Sequence, residues 1–171
     1  LREFSNKQES YYGNPAYDRY PVIFVTWEHA GAYCAWAGAH LPTEAEWEFA
    51  ARGTDGRLYP WGNDAPQAEL LQYNWFGGDT APVGSFPDGA SPYGALDMAG
   101  NVWEWVGDWF EAYPSATPGD PAGLASGQDR VIRGGSWMNG EAEVRVTSRS
   151  SLGADIANNY VGFRCAADAA P

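Results

Sequence analysis

The feature that most constrains the fold is a set of three short motifs in which glycine stands close to an aromatic residue. They are Gly100-Asn-Val-Trp-Glu-Trp105, Arg133-Gly-Gly-Ser-Trp137 and Gly162-Phe-Arg-Cys165. Glycine serves where φ is positive or where two backbones approach closely, and tryptophan buries a large ring whose N–H needs a partner. The motifs predict a loop-rich body whose irregular backbone is held by indoles. Such a scaffold suits binding or catalysis on loops, although core architecture alone would also explain the motifs.

Length and charge limit the class of protein. A chain of 171 residues is predicted to form one domain, and its 21 glycines and 12 prolines favour turns over long helices. The formal net charge of −12 argues against a nucleic acid or an anionic membrane surface as partner. No stretch approaches the ~18 apolar residues of a membrane span, so we expect no membrane insertion. The charge suits a metal cation or a basic peptide, with ordinary solubility as the alternative.

The chain is predicted to have a short extension and one domain. Residues 1–20 are polar and aromatic and are expected to be irregular, whereas residues 21–171 form the domain. The chain opens with Leu1-Arg2-Glu3-Phe4, without a methionine or a signal peptide, so we expect a fragment or a processed domain. A surface loop is predicted from Pro114 to Gly127, where proline, glycine, alanine and serine dominate.

Two helices and several short strands are predicted. Thr26 caps a helix over residues 27–37, and Thr43 with Glu46 forms a capping box for a helix over residues 44–52. Glycines 38 and 53 end these helices. Strands are predicted at Pro21–Val25, Val131–Arg133, Val144–Val146 and Tyr160–Arg164.

The two cysteines, Cys34 and Cys165, lie near opposite ends of the domain. An even count permits one disulfide, and two free thiols are equally compatible with the count. A bond would place the protein outside the cytoplasm, and free thiols would place it inside.

An ordered series of motifs extends over nearly the whole chain. Besides the three motifs above, the series contains Pro21-Val22, Thr26-Trp27, Ala32-Tyr-Cys34, Trp36-Ala-Gly38, Leu41-Pro-Thr-Glu-Ala-Glu-Trp-Glu48, Ala51-Arg-Gly53, Pro60-Trp-Gly-Asn63, Ala81-Pro-Val83, Tyr93-Gly94 and Asp108-Trp109. From residue 21 to 168, the chain resembles the formylglycine-generating enzyme, or sulfatase-modifying factor, family. The resemblance implies an α+β fold, a C-type-lectin-like variant with little regular secondary structure, two helices and short antiparallel strands. It also implies a disulfide between Cys34 and Cys165, with Cα atoms roughly 4.4–6.8 Å apart.

The resemblance also bears on catalysis. The family's enzyme oxidises a substrate cysteine to formylglycine with O₂ and a copper ion held by two cysteines, the soft ligands that Cu(I) selects. Those cysteines belong two and seven positions after the aromatic residue of the Gly-Gly-Ser-aromatic motif. This chain has Asn139 and Val144 there, and valine has no donor atom. We therefore expect no copper and no formylglycine-generating activity, and no other catalytic set is evident.

A structural calcium ion is the cofactor that the resemblance implies. The family binds calcium in the Gly-Asn-x-Trp-Glu motif, and the matching ligands here are Asp97, Gly100, Val102 and Glu104. Closely spaced oxygen donors are what Ca²⁺ takes. A second calcium site would begin at Asn74 and Trp75, with Asp79 as a substitute acidic ligand.

Family members without the copper cysteines serve as binding domains, as accessory domains of kinases or proteases, or as variable proteins diversified by retroelements. In such proteins the ligand surface lies between the second and third glycine-aromatic motifs. The matching polar and aromatic residues are Trp137, Asn139, Glu141, Glu143, Arg145, Arg149, Asn158 and Tyr160. We predict a non-catalytic module that binds a protein or peptide ligand. The alternatives are an enzyme that catalyses a different oxidation, with residues upstream of Leu1, and a purely structural domain.

Two structural features would distinguish the first two functions. A pocket lined by Trp137 and Arg149, with carboxyl groups of perturbed pKa, would favour an enzyme. An exposed flat surface between Asn139 and Tyr160 would favour binding.

Overall fold

The computed structural model describes residues 11–75, 78–111 and 126–168. Its helices are α1 (Trp27–Trp36) and α2 (Glu44–Arg52), and its strands are β1 (Trp103–Trp109), β2 (Asp129–Arg133), β3 (Arg149–Gly153) and β4 (Val161–Phe163). Single 3-10 turns occupy Pro15–Tyr17 and Pro87–Gly89. Most of the loop predicted over 114–127, and half of the extension predicted over 1–20, lie outside the described residues. No helix within the described ranges is long and apolar enough to cross a bilayer.

Both helices begin and end where local sequence signals predict. The Thr26 hydroxyl accepts the backbone N–H of His29 at the start of α1. At α2 the Thr43 hydroxyl accepts the N–H of Glu46, and the Glu46 carboxylate accepts the N–H of Thr43 at 2.8 Å. Gly53 follows α2 with φ +66°, a conformation that favours glycine. The predicted helices are thus confirmed to within one residue.

The sheet has the strand order β3-β2-β1-β4 and mixed pairing. β1 pairs antiparallel with β2, and β2 with β3, whereas β4 runs parallel to β1 with Trp103 opposite Val161. The strands predicted near 131–133 and 160–164 are present as β2 and β4. The expected short antiparallel strands are present in the β1–β2 and β2–β3 pairs, whereas β4 is parallel to β1 because the chain crosses from β3 at one edge of the sheet to the opposite edge.

Two predicted strands are turns or irregular segments. In the segment Pro21–Val25, Phe24 has φ +58°, which breaks an extended run, and its N–H donates to the carbonyl of Asn158 at 2.8 Å. Residues 141–147 form turns, with Val144 and Val146 both fully buried. The β-branched residues therefore serve burial rather than strand pairing at both positions.

Tryptophan indoles hold the loops, as the motifs predict. The Trp27 Nε1–H donates to the carbonyl of Val106 at 2.8 Å, and the Trp105 Nε1–H donates to the carbonyl of Val25 at 3.1 Å. Trp105 is fully buried in the main apolar cluster, and the carbonyl of Val25 satisfies its single donor. These bonds fix the entry to α1 against β1.

Glycine is required where the motif backbones meet other loops. Gly100 has φ +71°, and a Cβ there would collide with the carbonyl of Gln72. Gly135 has φ +74°, and a Cβ there would lie 2.9 Å from the carbonyl oxygen of Glu143. Both positions combine close approach with a conformation that L side chains rarely adopt.

A fully buried arginine joins three parts of the fold. The Arg133 guanidinium lies 2.6 Å from a carboxylate oxygen of Glu48 and 3.3 Å from one of Glu44, both on α2. It also donates to the carbonyl of Val146 at 2.8 Å. Arg133 therefore links β2, α2 and the turns at 141–147.

The disulfide implied by the family resemblance is present. Cys34 of α1 is bonded to Cys165, and their Cα atoms are 5.5 Å apart. The bond ties α1 to the segment that follows β4.

Candidate functional site

The side chain of Asn139, the first of the two positions matching the copper ligands, is occupied by hydrogen bonds within the protein. Its Oδ1 accepts the Trp103 Nε1–H at 2.9 Å, the Ser136 N–H at 3.0 Å and the Ser136 hydroxyl at 2.6 Å. Val144, the second position, is fully buried in an apolar cluster with Tyr59. The two residues thus stabilise the fold and offer no soft donor.

The exposed part of the predicted ligand surface is the group of turns at residues 141–147. Glu141, Glu143 and Arg145 are exposed there. The Tyr59 hydroxyl donates to the Glu141 carboxylate at 3.1 Å. Tyr59 is itself buried and stacks on Trp61 with ring centroids 5.1 Å apart, and this burial raises the pKa of its hydroxyl. Glu141 thus accepts a hydrogen bond from a buried tyrosine that stacks on Trp61.

Two residues predicted for the ligand surface do not lie on it. Trp137 is 3% exposed, and its Nε1–H donates to the carbonyl of Asn159 at 3.3 Å. Arg149 is paired with Glu44 through two bonds of 2.8 and 2.6 Å, and its side chain is 14% exposed. Trp137 is therefore buried, and Arg149 is half-buried and paired, so both offer less free side-chain surface than their places in the sequence suggest.

Asn158 and Tyr160 are half-buried and support the neighbouring backbone. The Asn158 Oδ1 accepts the Tyr160 N–H at 3.1 Å, and the Tyr160 carbonyl accepts the Trp103 N–H at 2.8 Å. The carbonyl of Asn158 also accepts the Phe24 N–H. These residues border the surface through their backbone more than through free side-chain atoms.

Trp75 joins the surface from another segment of the chain. Asn74 and Trp75 have φ +51° and +62°, and their N–H groups donate to the carbonyls of Asn139 and Trp137 at 2.8 Å each. The Trp75 ring is 60% exposed and meets the Trp137 ring edge to face at 5.0 Å. The sequence suggests Trp75 only as part of a second calcium site. No sequence pattern predicts that its backbone has a positive φ.

The predicted calcium residues lie on the turn that leads into β1. Asp97 has φ +56°, and its Oδ2 accepts the Gly84 N–H at 2.7 Å. Burial raises the pKa of the Asp97 carboxyl. Glu104 in β1 is 5% exposed, and its Oε2 accepts the Trp47 Nε1–H at 2.7 Å.

Arg164 also contacts this turn, and sequence reasoning missed it. Its Nε and Nη2 donate to the two Glu104 carboxylate oxygens at 2.6 and 2.7 Å. Its Nη2 lies 3.1 and 3.2 Å from the carbonyl oxygens of Leu96 and Asp97. Neighbouring carboxylates raise the Arg164 pKa against the opposing effect of burial. The arginine of the third glycine-aromatic motif is thus a partner of the carboxylate of the first.

The donor chemistry of the turn fits a hard cation in part. A carboxylate offers about four acceptor directions, and Glu104 uses three of them on Trp47 and Arg164. Asp97 supplies a second carboxylate, and Gly100 and Val102 supply backbone carbonyls on the same turn. Among the described residues, no group of three or more His, Cys, Asp or Glu side chains is placed to hold a metal ion, so backbone oxygens would have to complete the site.

The second set of calcium residues, Asn74, Trp75 and Asp79, uses its polar groups on neighbouring backbone. The Asp79 Oδ1 accepts the N–H of Thr80 at 2.8 Å. Asn74 and Trp75 use their backbone N–H groups on the segment 137–139. The structure describes the segment only up to residue 75 and again from residue 78.

A cavity of about 620 Å³ opens beside the calcium turn. It lies between α1, the turn at 96–102 and the end of β4. Neither Trp137 nor Arg149 lines this cavity. The described residues that line it are Tyr20, Pro21, Val22, Val25, His29, Tyr33, Val83, Leu96, Asp97, Asn101, Val102, Glu104, Phe163, Arg164 and Cys165.

Comparisons with known sequences agree on one family. The chain is 42% identical over 170 residues to formylglycine-generating enzyme of Mus musculus, covering 89% of this chain and 45% of that protein. It is 44% identical over 166 residues to inactive C-alpha-formylglycine-generating enzyme 2 of the same organism, covering 87% and 49%. It is 43% identical over 157 residues to serine/threonine-protein kinase pkn1 of Chlamydia caviae, covering 89% and 25%. The chain thus spans less than half the length of these relatives.

Solved structures share the architecture. Treponema denticola variable protein 1 superposes with a TM-score of 0.73 at 26% identity, covering 88% of this chain and 72% of that one. PvdO from Pseudomonas aeruginosa superposes with a TM-score of 0.71 at 29% identity, covering 85% and 60%. The fold is therefore the formylglycine-generating-enzyme variant of the C-type-lectin-like fold. Since the family described as sulfatase-modifying factor enzyme 1-like domain matches residues 3–169, the chain belongs to that family.

Proposed function

We propose that this domain is a non-catalytic, protein-binding member of its family. Its contact surface, here called the 139–145 face, consists of Trp75, Asn139, Glu141, Glu143 and Arg145. The observation that carries the proposal is the state of the two copper positions. Asn139 is hydrogen-bonded by Trp103 and Ser136, and Val144 is buried in the core. A soft metal would find no thiolate there.

The relatives support a binding role. One of them carries the word inactive in its name, and another is a kinase of which this chain matches only a quarter. A solved neighbour is named a variable protein. These names are compatible with a domain that contributes recognition to larger or variable proteins, including an accessory domain of a kinase or protease.

The chemistry of the 139–145 face favours a basic peptide segment with an aromatic or aliphatic residue. Glu141 and Glu143 are exposed, and Glu141 is held by the Tyr59 hydroxyl, so little side-chain entropy is lost when a Lys or Arg binds it. The net charge of −12 attracts cationic partners at long range. Trp75 offers an exposed ring, the kind of side chain that anchors interfaces.

Peptide selection with matched charge variants tests this proposal. The domain, with its disulfide intact, is panned against a displayed library of random peptides, and the affinity of the selected peptides is measured by titration calorimetry. We expect basic peptides with one large apolar residue. Reversing Glu141 and Glu143 to Lys should weaken binding at least tenfold, because two attractive charges become repulsive.

The control reverses two exposed carboxylates elsewhere, Asp64 and Asp88, to Lys. This variant has the same net charge and should bind within about twofold of the unchanged domain. An equal loss of peptide affinity in both variants would show that net charge, and not the 139–145 face, determines binding. If the affinity of the selected peptides is unchanged by the Glu141 and Glu143 reversals and by Trp75→Ala, the 139–145 face is not the binding site.

We also propose a calcium ion at the turn that leads into β1, held by Asp97, Gly100, Val102 and Glu104. Support comes from the half-buried Asp97 carboxyl and from the one acceptor direction that Glu104 keeps. A hard cation would balance the negative charge of the two carboxylates, of which Arg164 balances only one. Thermal melts in calcium and in EGTA test it: calcium should raise the melting temperature, since it binds the folded state. The rise should be lost in Asp97→Ala. No rise at millimolar calcium would end the proposal.

The disulfide supports a location outside the cytoplasm, because such bonds persist in oxidising compartments. Thiol labelling of the protein taken from its native source tests this. Blocked cysteines are expected, and two free thiols would contradict it.

A further inference from the structure

The cavity of about 620 Å³ between α1, the turn at 96–102 and the end of β4 has the volume of a small-molecule site. None of the residues of the 139–145 face lines it, so the two surfaces are separate. We propose that this cavity binds a compact, uncharged apolar molecule that carries a single hydroxyl or carbonyl oxygen. The inference goes beyond the proposed function, does not depend on it, and uses none of the charge of the calcium turn.

Aliphatic and aromatic side chains form most of the cavity wall. Val25, Leu96 and Val102 line it, and Tyr33 contacts Phe163 with ring centroids 5.6 Å apart. Such walls select a molecule whose body is apolar, since pockets of this kind bury most of their ligand's surface.

Three exposed apolar side chains mark the opening of the cavity to solvent. Val22, Tyr33 and Val83 line the cavity and are between 46% and 53% exposed. A ligand that covers them removes apolar surface from water, which is the driving force for its binding.

The carboxylates and the guanidinium of the wall already have partners. Glu104 accepts two bonds from Arg164 at 2.6 and 2.7 Å, and the Asp97 Oδ2 accepts the Gly84 N–H at 2.7 Å. Both carboxylates belong to the turn to which we assign calcium, so neither is counted as a contact of the ligand. A charged molecule would therefore lose its hydration without gaining a free partner, and a neutral molecule would not incur this loss.

Two neutral polar groups on α1 are available to the ligand's oxygen. His29 and Tyr33 are four positions apart, hence on one face of the helix, and both line the cavity. Within the described parts of the chain, neither the His29 ring nor the Tyr33 hydroxyl forms a hydrogen bond. The Asn101 amide, in contrast, is occupied, because it accepts the N–H of Ala81 at 3.0 Å and donates to the carbonyl of Ala81 at 3.2 Å.

Three probes with one rigid skeleton test the proposal. Adamantan-1-ol, 1-adamantylammonium and adamantane-1-carboxylate are titrated into the disulfide-bonded protein. The readout is the methyl NMR signals of Val22, Val25 and Val83, with the Trp75 indole signal as a reporter outside the cavity. We expect the alcohol to shift the three valines, to leave Trp75 unmoved, and to bind about tenfold more tightly than either ion, because each ion must shed its hydration.

The titrations are made in millimolar calcium and repeated in EGTA. The affinity of the alcohol should agree within about twofold in the two buffers, because a neutral ligand that shares no contact with the ion is not coupled to it. A larger difference would place the probe on the calcium residues and overturn the proposal.

Matched variants locate the probe. Val83→Trp should abolish binding of the alcohol by closing the opening, and Tyr33→Trp tests the same opening from α1 should the first variant not fold. Ile156→Trp enlarges an exposed aliphatic residue that does not line the cavity and should leave binding unchanged. His29→Leu keeps apolar bulk and should weaken the alcohol two- to tenfold, about the contribution of one neutral hydrogen bond.

The contrary outcomes are equally definite. Binding of either ion as tight as that of the alcohol would show that the cavity does not select a neutral ligand. Valine shifts that persist in both Val83→Trp and Tyr33→Trp would place the probe elsewhere, and an absence of shifts up to the solubility limit of the alcohol would overturn the proposal.

Discussion

At the scale of single residues, Arg133 shows how one buried side chain positions the candidate binding surface. It is fully buried, and it contacts Glu44, Glu48 and the carbonyl of Val146. We predict that Arg133→Lys lowers the free energy of unfolding by about 2–4 kcal/mol, because an ammonium cannot reproduce the planar fork and leaves buried acceptors unpaired. Urea denaturation measures the change.

The matched control is Arg52→Lys, since Arg52 pairs with the same Glu48 but its side chain is 35% exposed. That change should stay within about 0.5 kcal/mol, as is usual for exposed helix pairs. Equal costs for the two variants would contradict the role given to Arg133.

The sequence indicated the Arg133 motif but not the burial of its arginine. From the sequence alone a charged residue is expected to be exposed to solvent. Only the folded structure places the α2 carboxylates of Glu44 and Glu48 beside Arg133. Arg164 was missed for the same reason. Its partner Glu104 lies 60 positions earlier in the chain, and no local pattern relates the two.

At the scale of elements, the capping box of α2 gives a prediction that depends on pH. The Thr43 N–H and hydroxyl donate to Glu46, and the backbone bond is the largest cause that lowers the pKa of its carboxyl below 4.5. A lowered pKa means that the ionised form stabilises the fold. Its contribution is therefore present above the unfolded-state pKa and is lost as pH falls through the lower folded-state value.

We predict that Glu46→Gln lowers the free energy of unfolding at pH 7 and that the difference from the unchanged protein shrinks below about pH 4.5. Thr43→Ala should cost about 0.5–2 kcal/mol at pH 7. Urea denaturation at several pH values measures both, with the exposed Glu69→Gln as control. A Glu46→Gln difference that does not vary with pH would argue against the ionised capping carboxylate.

Elements with local signals could be predicted, and elements without them could not. Thr26, Thr43 and Glu46 define both helices through bonds within one turn. β1 was missed because its first four residues, Trp103 to Val106, are all buried, which erases the alternation that marks a half-buried strand. The β-branched residues at 21–25 predict a strand, because nothing in the sequence indicates that the backbone of Phe24 has a positive φ.

At the scale of the whole molecule, the Cys34–Cys165 bond closes a loop with a sequence separation of 131 residues. We predict that the double change Cys34→Ala and Cys165→Ala lowers the free energy of unfolding by about 4–5 kcal/mol in the chain-entropy model. Thermal melts with and without dithiothreitol measure the effect. Reductant should lower the melting temperature of the unchanged protein and leave that of the variant unmoved. If reductant changes the melting temperature of neither the unchanged protein nor the variant, the disulfide does not stabilise the fold.

The fold and the disulfide could be predicted because a long, ordered set of motifs matched one family. The candidate surface could be predicted only in outline. Trp137 and Arg149 belong to the right segment, but one is buried and the other is paired, whereas Trp75 reaches the surface from a distant segment. Sequence position within a loop does not reveal which side chains that loop turns inward.

We propose that the domain binds a partner and does not form formylglycine, the product for which its larger relatives are named. The most direct test incubates the protein with Cu(I), O₂ and a cysteine-bearing peptide and follows the peptide by mass spectrometry, with the mouse formylglycine-generating enzyme as positive control. We predict that the peptide cysteine is not converted to formylglycine, because Asn139 and Val144 cannot hold the metal. Turnover of the peptide, with Cu(I) bound at one ion per chain, would contradict the account.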